Sequence, residues 1–404
     1  MSTSLLYHGF GIIGYKYIHT RYEKGALIFR IAHDKFSHRC SNCNSKQLVC
    51  RGKVMRRFRT IPIGAKPVFI EIEIQRVFCQ ACQILRQVKL TFAKWRRTYT
   101  KTFERYALAL SRVMTISDVA KHLAVSWGTI KEIQKKYLLK RYARPNLKKL
   151  DRIAIDEISI GKGHRYLTVV LNLKTGAVIF VGEGKGADAL APFFLRLKRS
   201  KAKVKAVAID MSPAYIGAVM DNLPKAVIVF DHFHVIKMYN EKLSDFRRVL
   251  YNQAEKMSEK QVLKGTRWLL MKNPENLNME KDEHHRLAEA LKLNQPLATA
   301  YYLKEDLRHF WKQDNKAEAE KHLLHWVAKA ESTKIPMLIK FAKTLRAHMF
   351  GLLSFFDYSI STGPLEGTNN KIKTLQKQAY GFRDLLFFKL KILALHESKY
   401  ALIG

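Results

Sequence analysis

Long hydrophobic runs are missing from this 404-residue chain. No window reaches 18 uninterrupted apolar residues, so no membrane-spanning helix is expected. The first residues lack the basic stretch, apolar core and small-residue cleavage site of a secretory signal, and the expected location is the cytoplasm. Cysteine is scarce and confined: there are five, all within the first 82 residues, an arrangement that suits a metal in a reducing compartment better than a disulfide scaffold. Acidic residues are also short, with 34 Asp and Glu against 72 Lys and Arg, a formal charge of +38. The deficit is deepest in residues 1–150, where 31 basic residues face 7 acidic ones, a net +24 that leaves +14 for the other 254. Such an excess favours polyanion partners, nucleic acid ahead of a membrane surface, and puts first contact with DNA or RNA in the N-terminal third. A generally basic, ribosomal kind of protein is the lesser alternative that charge alone leaves open. Apolar residues, at 47%, are not lacking. They exclude global disorder, and the length suits two or three domains.

Residues 1–39 are loosely organised around the strand-like "GALIFRIAH". Cys40 and Cys43 follow, and Cys79 and Cys82 repeat the two-residue spacing. Between the pairs, Val68, Ile70, Ile72 and Ile74 alternate with Phe69, Glu71, Glu73 and Gln75, a strand period. Two such knuckles at strand ends can hold one structural zinc through four thiolates. Cys50 is the odd thiol. Further on, "ISDVAKHLAVSWGTIKEIQKKYL" divides into a helix over 116–123, a short turn, and a helix from about Ser126, a plausible N-cap. Basic flanks make this a helix-turn-helix candidate, with Trp127, Thr129, Lys131 and Lys135 the side chains able to face a DNA groove. Any helical hairpin produces a similar pattern, and Trp127 suits a core equally.

"ARPNLKKLD" reads as a linker. Beyond it come three strand-like segments, "RIAIDEISI", "RYLTVVLNLKTG" and "AVIFVGEG", then helix, strand, helix and strand. That order fits a mixed sheet covered by helices, an α/β, ribonuclease-H-like core. From 236 to about 355 the texture is helical and carries no site signature.

Asp156 lies in "IAIDEISI" and Asp210 ends the run "AVAID". On neighbouring strands their like charges are costly, and a divalent cation offsets that cost. Glu366 follows Gly363-Pro364, a helix start, with Asn370 one turn later on its face. Three carboxylates are hard oxygen donors, suited to magnesium, with manganese a substitute, rather than zinc. Two ions so held can activate a water or a 3′-hydroxyl in phosphodiester chemistry. Simpler readings stand beside this one. Asp210 before Ser-Pro suits a helix cap, and Glu366 suits its helix N-terminus. Glu157 points away from Asp156 if the backbone stays extended. Asp231 and His234 end the next strand and begin a helix, as supporting groups, a cap or substrate contacts. Lys371, Lys373 and Lys377 suit phosphate contacts or a solvated face.

The three stretches "AIDEISIGKGHRYLTVVLNLKTGAVI", "AVAIDMSPAYIGAVMDNLPKAVIVFDHFHVIKMYN" and "GPLEGTNNKIKTLQKQAYGFRD", in this order, strongly resemble the ISL3 family of bacterial insertion-sequence transposases. The resemblance spans nearly the whole chain, knuckles and helix-turn-helix included. It implies a DDE transposase whose two aspartates and glutamate fall on Asp156, Asp210 and Glu366, and whose aspartate-x-x-histidine motif falls on Asp231 and His234. Similar enzymes bind the terminal inverted repeats of their element, cleave its ends with magnesium and join the 3′-hydroxyls to target DNA. The expected organisation is a zinc-binding, DNA-binding N-terminal module over 1–95, a helix-turn-helix over 96–143, a linker over 144–150, catalytic core over 151–235, a helical insertion over 236–355 and the glutamate-bearing core helices over 356–404. Double-stranded DNA is the expected partner, the nucleoid the expected surroundings, and a homodimer or larger the expected active complex. A non-catalytic DNA-binding regulator satisfies the N-terminal motifs but leaves about 250 residues without a purpose. A structure-selective nuclease without strand transfer uses the same core.

Overall fold

The computed structural model describes residues 4–33, 38–161, 163–360 and 363–396. The chain divides into two units, Met1–Ala143 with Leu375–Gly404, and Arg144–Thr374.

In the first unit, β1 (Tyr15–Glu23), β2 (Ala26–His33), β3 (Leu48–Ile63), β4 (Lys66–Cys79) and β5 (Ile84–Gln87) make one sheet. Its order is β1-β2-β4-β3, with β5 also on β4. The β1–β2 turn is Lys24-Gly25, both at positive φ (49° and 76°), the geometry that matches strand twist in a two-residue hairpin. Val68, Ile70, Ile72 and Ile74 are all at most 2% exposed and line one core face, as the alternation requires.

Three helices follow, Lys101–Leu110, Ile116–His122 and Trp127–Tyr142. The hydroxyls of Thr100, Thr115 and Ser126 accept the backbone N–H groups of Phe103, Asp118 and Thr129, capping all three. Val119, Leu123, Ile130 and Ile133 are buried together, and Ala124 at φ +49° turns the chain between the last two helices. Zinc module and helical trio share one unit rather than forming two. Arg59 joins them: its guanidinium donates to the carbonyls of Val68 at 3.2 Å and Leu123 at 3.0 Å.

The last segment departs from the expected organisation. Among the described residues, those from Leu375 onward cluster with this first unit rather than with the second. The reason is burial: Phe387, Leu390 and Ala394 of the helix Leu385–Ala394 complete the apolar cluster around Ile130 and Ile133.

The second unit carries β6 (Arg152–Gly161), β7 (Arg165–Asn172), β8 (Val178–Glu183), β9 (Ala206–Ile209) and β10 (Val227–Phe230), ordered β10-β9-β6-β7-β8. β6, β7 and β8 form an antiparallel meander, while β9 and β10 run parallel to β6. This is a ribonuclease-H-like mixed sheet. Helices Ala187–Ser200 and Pro213–Asn222 make the crossovers. After β10 the chain is helical to Asp357, and these helices share the sheet's core through Tyr239, whose hydroxyl donates to the Ala300 carbonyl at 2.7 Å. The last of them, Met349–Asp357, returns to β10 so closely that a Cβ on Gly351 would collide with the Phe230 ring.

Candidate active site

Parallel pairing sets the site. β6 and β9 run in register to Ala154↔Ala208, and β9 and β10 to Ile209↔Phe230. Two residues past the first of these pairs, on both strands, come Asp156 and Asp210; one residue past the second, on β10, comes Asp231. Three carboxylates therefore gather where β9 and β10 end beside the middle of β6, and ligand sites of open α/β sheets lie outside such strand ends.

Each has a different local role. Asp210 does not cap the next helix, whose N-cap is Ser212; its Oδ1 accepts the Ser212 N–H at 3.1 Å. Asp231 does cap its helix, His232–Gln253, accepting the Phe233 N–H at 3.2 Å. Its other oxygen meets His234 Nδ1 at 2.8 Å, and His234 Nε2 lies 3.8 Å from Asp156 Oδ1. One imidazole thus stands between two carboxylates. The bond to Asp231 raises its pKa against the effect of burial, with Asp156 and Asp210 adding to the rise.

Asp156 is held at both oxygens, its side chain 12% exposed. Oδ1 accepts the Glu157 N–H at 2.8 Å, and Oδ2 accepts Asn369 Nδ2 at 2.7 Å. Burial pushes its pKa up, Asp210 adds to this, and His234, Glu157 N–H and Asn369 oppose it. Glu157, the next residue on β6, is within reach of the same charges. Its pKa is raised by burial and by Asp210 and Asp156, with Lys185 and Tyr215 opposing.

The helix Gly363–Gln378 brings Asn369 to Asp156. Glu366, one turn earlier, is exposed, and so are Asn370, Lys371, Lys373 and Lys377. The neighbour of the expected asparagine, Asn369, makes the contact. Among the described residues the carboxylates of Asp156, Asp210 and Glu366 do not close into a three-ligand set, whereas four cysteines do. Magnesium nonetheless fits the donors gathered beside β6. All are hard oxygens, and Asn369 Oδ1, beside Asp156, is a buried oxygen with no hydrogen-bond partner.

The cysteine site is compact. Cys40, Cys43, Cys79 and Cys82 have sulfurs all within 4.8 Å of one another, with Cys40–Cys82 at 3.6 Å and Cys43–Cys79 at 3.5 Å. A tetrahedron with zinc–sulfur bonds of about 2.3 Å has edges of about 3.8 Å, so the four thiolates fit zinc. The backbone N–H groups of Cys43 and Asn42 pull the Cys40 pKa down to about 6 and that of Cys79 is also lowered, while those of Cys43 and Cys82 are raised beside them. Cys50 stands apart and exposed.

On the helix Trp127–Tyr142, Trp127 is 51% exposed and Thr129 half-buried, its hydroxyl 2.9 Å from that of Ser126. Lys131 and Lys135 do not face outward as expected. Their ammonium groups reach Asp384 Oδ2 at 3.1 and 2.8 Å, beneath the helix Leu385–Ala394.

Three family models match the chain: a transposase model over 153–392, a helix-turn-helix domain of transposase family ISL3 over 88–138, and a zinc-finger of transposase IS204/IS1001/IS1096/IS1165 over 37–82. The chain belongs to the ISL3 family of transposases. Among ISL3 relatives, the transposase for insertion sequence element IS1001 of Bordetella parapertussis is 33% identical over 363 residues, 88% of each chain. That for IS1557 of Mycobacterium tuberculosis is 29% identical over 370 residues, 85% of this chain and 82% of the relative. Among solved structures, the Drosophila P element transposase strand transfer complex matches at 12% identity and a TM-score of 0.40, over 76% of this chain and 94% of that one. This ISL3 transposase thus carries a zinc-finger module and a helix-turn-helix domain. No helix among its described residues is long and apolar enough to cross a membrane.

Proposed function

We propose that the protein binds the terminal inverted repeats of its insertion sequence, hydrolyses the phosphodiester bonds at the element ends, and joins the freed 3′-hydroxyls to target DNA. Asp156, Asp210 and Glu366 would hold two magnesium ions, whose chemistry here is to stabilise negative charge on the attacking and leaving oxygens. Asn369 holds one oxygen of Asp156 in place, leaving the other turned toward His234. Asp231 fixes the His234 ring, so the imidazole's outward nitrogen keeps one orientation at the carboxylate edge. Lys371, Lys373 and Lys377 lie on the helix that carries Glu366 and would seat the DNA backbone. Joining two ends at once calls for at least two copies in the active complex.

The observation that supports this reading most is the meeting of Asp156, Asp231, His234 and Asn369 at one strand edge, next to Asp210. Purified protein incubated with the DNA flanking its gene should cut at the element ends with Mg²⁺ and stop with EDTA. Asp210→Asn should bind the same DNA without cutting. Sequence-selective binding by wild type with no Mg²⁺-dependent cleavage would count against the enzyme reading and for a DNA-binding regulator.

A further inference from the structure

Between the zinc module and the helix-turn-helix, within the first unit, lies a cleft of about 410 Å³ whose lining includes Arg86, Lys89, Arg96 and Lys101 and no acidic residue. All four are exposed, and among the described residues none has an acidic partner. Lys94, also in the lining, is the exception: it pairs with Glu104 at 2.6 Å. Four unneutralised cations around one cleft repel one another, an arrangement that an arriving polyanion relieves.

Two further features narrow the partner. Trp95 stands at the cleft, 59% exposed, on a turn where Arg96 takes φ +58°. A non-glycine residue in the left-handed region is unusual, and here it holds an indole out of the core. The next residue, Arg97, donates to Glu132 at 2.7 Å, and Glu132 is a position of the helix Trp127–Tyr142 whose side chain is 52% exposed. The cleft's rim therefore adjoins the flank of the helix-turn-helix's second helix. The turn itself is well fixed, with Arg97 N–H to the Lys94 carbonyl and Arg56 Nη2 to the Arg97 carbonyl at 2.8 Å.

We propose that this cleft is a second DNA-contact site, holding the phosphate backbone of the duplex that runs on past the helix-turn-helix, with Trp95 packed on its sugars. Arg86 and Arg96 present guanidinium forks suited to phosphate oxygens. Lys89 and Lys101 add point charge, and the indole adds a flat apolar face of the kind used against nucleotide sugars and bases. A single exposed tryptophan is a poor anchor for a lipid surface, which calls for a broader apolar face. The proposal rests on the DNA-directed reading above and adds a contact outside the helix-turn-helix.

Salt dependence separates the two. Each phosphate contact contributes roughly 0.9 to the slope of log K against log salt. For the full-length protein on a duplex carrying the element end, Arg86→Ala/Lys89→Ala/Arg96→Ala should flatten that slope by about 2 or more and weaken binding at least about tenfold. Its preference for the element end over scrambled duplex should persist. Trp127→Ala, on the helix, should do the reverse, losing preference at nearly unchanged slope. Zinc content and thermal melting of each variant show that it is folded. An unchanged slope in the triple variant, with wild type binding normally, would overturn the cleft and leave the functional reading intact. A triple variant that loses only its affinity for phosphatidylserine vesicles would overturn the cleft in the same way. Wild type that binds no duplex at low salt would overturn both.

Discussion

Asn369 Nδ2 donates to Asp156 Oδ2 at 2.7 Å, across 213 residues of sequence. This bond ties the helix that carries Glu366 to the strand that carries the first aspartate. Asn369→Leu leaves a half-buried carboxylate with one donor fewer and frees the helix to shift, and misplacement by about 1 Å can cost about a hundredfold in rate. End cleavage should fall by roughly ten- to a hundredfold while DNA affinity stays within about twofold of wild type. A gel-based cleavage assay beside an anisotropy titration measures both. Equal loss of binding and cleavage would show that Asn369 supports the fold and not the site.

The four-cysteine site predicts one tightly held zinc per chain. The β3–β4 hairpin ends in its ligands, so chelation or Cys79→Ser should loosen the first unit and lower its melting temperature. The second unit should melt unchanged. Zinc released to a chromogenic chelator, read with calorimetry, tests this; a stoichiometry near zero would rule the metal out.

Asp384 makes a different forecast. Its pKa is drawn down to about 2, against burial, by Lys135, the Phe387 N–H and Lys131. A carboxyl whose folded pKa lies below its unfolded value of about 3.9 contributes stability that is complete above that value. The contribution fades as pH falls toward about 2. Asp384→Asn should therefore lower the denaturant midpoint at pH 7 and have a smaller effect near pH 2.5. It should also release Lys131 and Lys135 and raise salt-sensitive, sequence-independent DNA binding severalfold. If that binding does not change, the two lysines play no part in holding DNA.

Lys391 is 3% exposed, and burial pulls its pKa down to about 8. The unfolded chain then binds the extra proton between about pH 8 and about 10.4, so stability should rise with pH across that window. Lys391→Met should stabilise the first unit at pH 7 by up to roughly 2–3 kcal/mol, the equivalent of the shift, and the gain should shrink above about pH 10. Denaturant titrations at pH 7 and 10.5 decide it. A destabilised variant at pH 7 would mean that the lysine's contacts outweigh its burial cost.

The local features of this fold are legible in sequence where one physical cause dominates. Val68 to Ile74 alternate because one face of β4 meets the core, and Ser126 stands before its helix because a hydroxyl there satisfies an orphan N–H. The two knuckles are legible because zinc dictates their spacing. What the pattern does not carry is orientation between distant elements. Asn369 and Asn370 are equally good on a helical wheel until the angle at which the helix meets the sheet is known. Glu157 alternates with Asp156 along the strand, yet Asp210, just past the end of β9, raises the pKa of both carboxylates. Lys131 and Lys135 look free because their partner, Asp384, lies some 250 residues away.

The helix Leu385–Ala394 also imposes an order on synthesis. Ile130 and Leu138 leave the ribosome about 250 residues before Phe387 and Leu390, which help to bury them. A nascent chain therefore holds an unfinished helix-turn-helix core throughout the synthesis of the strand-borne site. Copies truncated before Leu385 would lose that core's last wall along with the helix, even with every aspartate of the sheet in place.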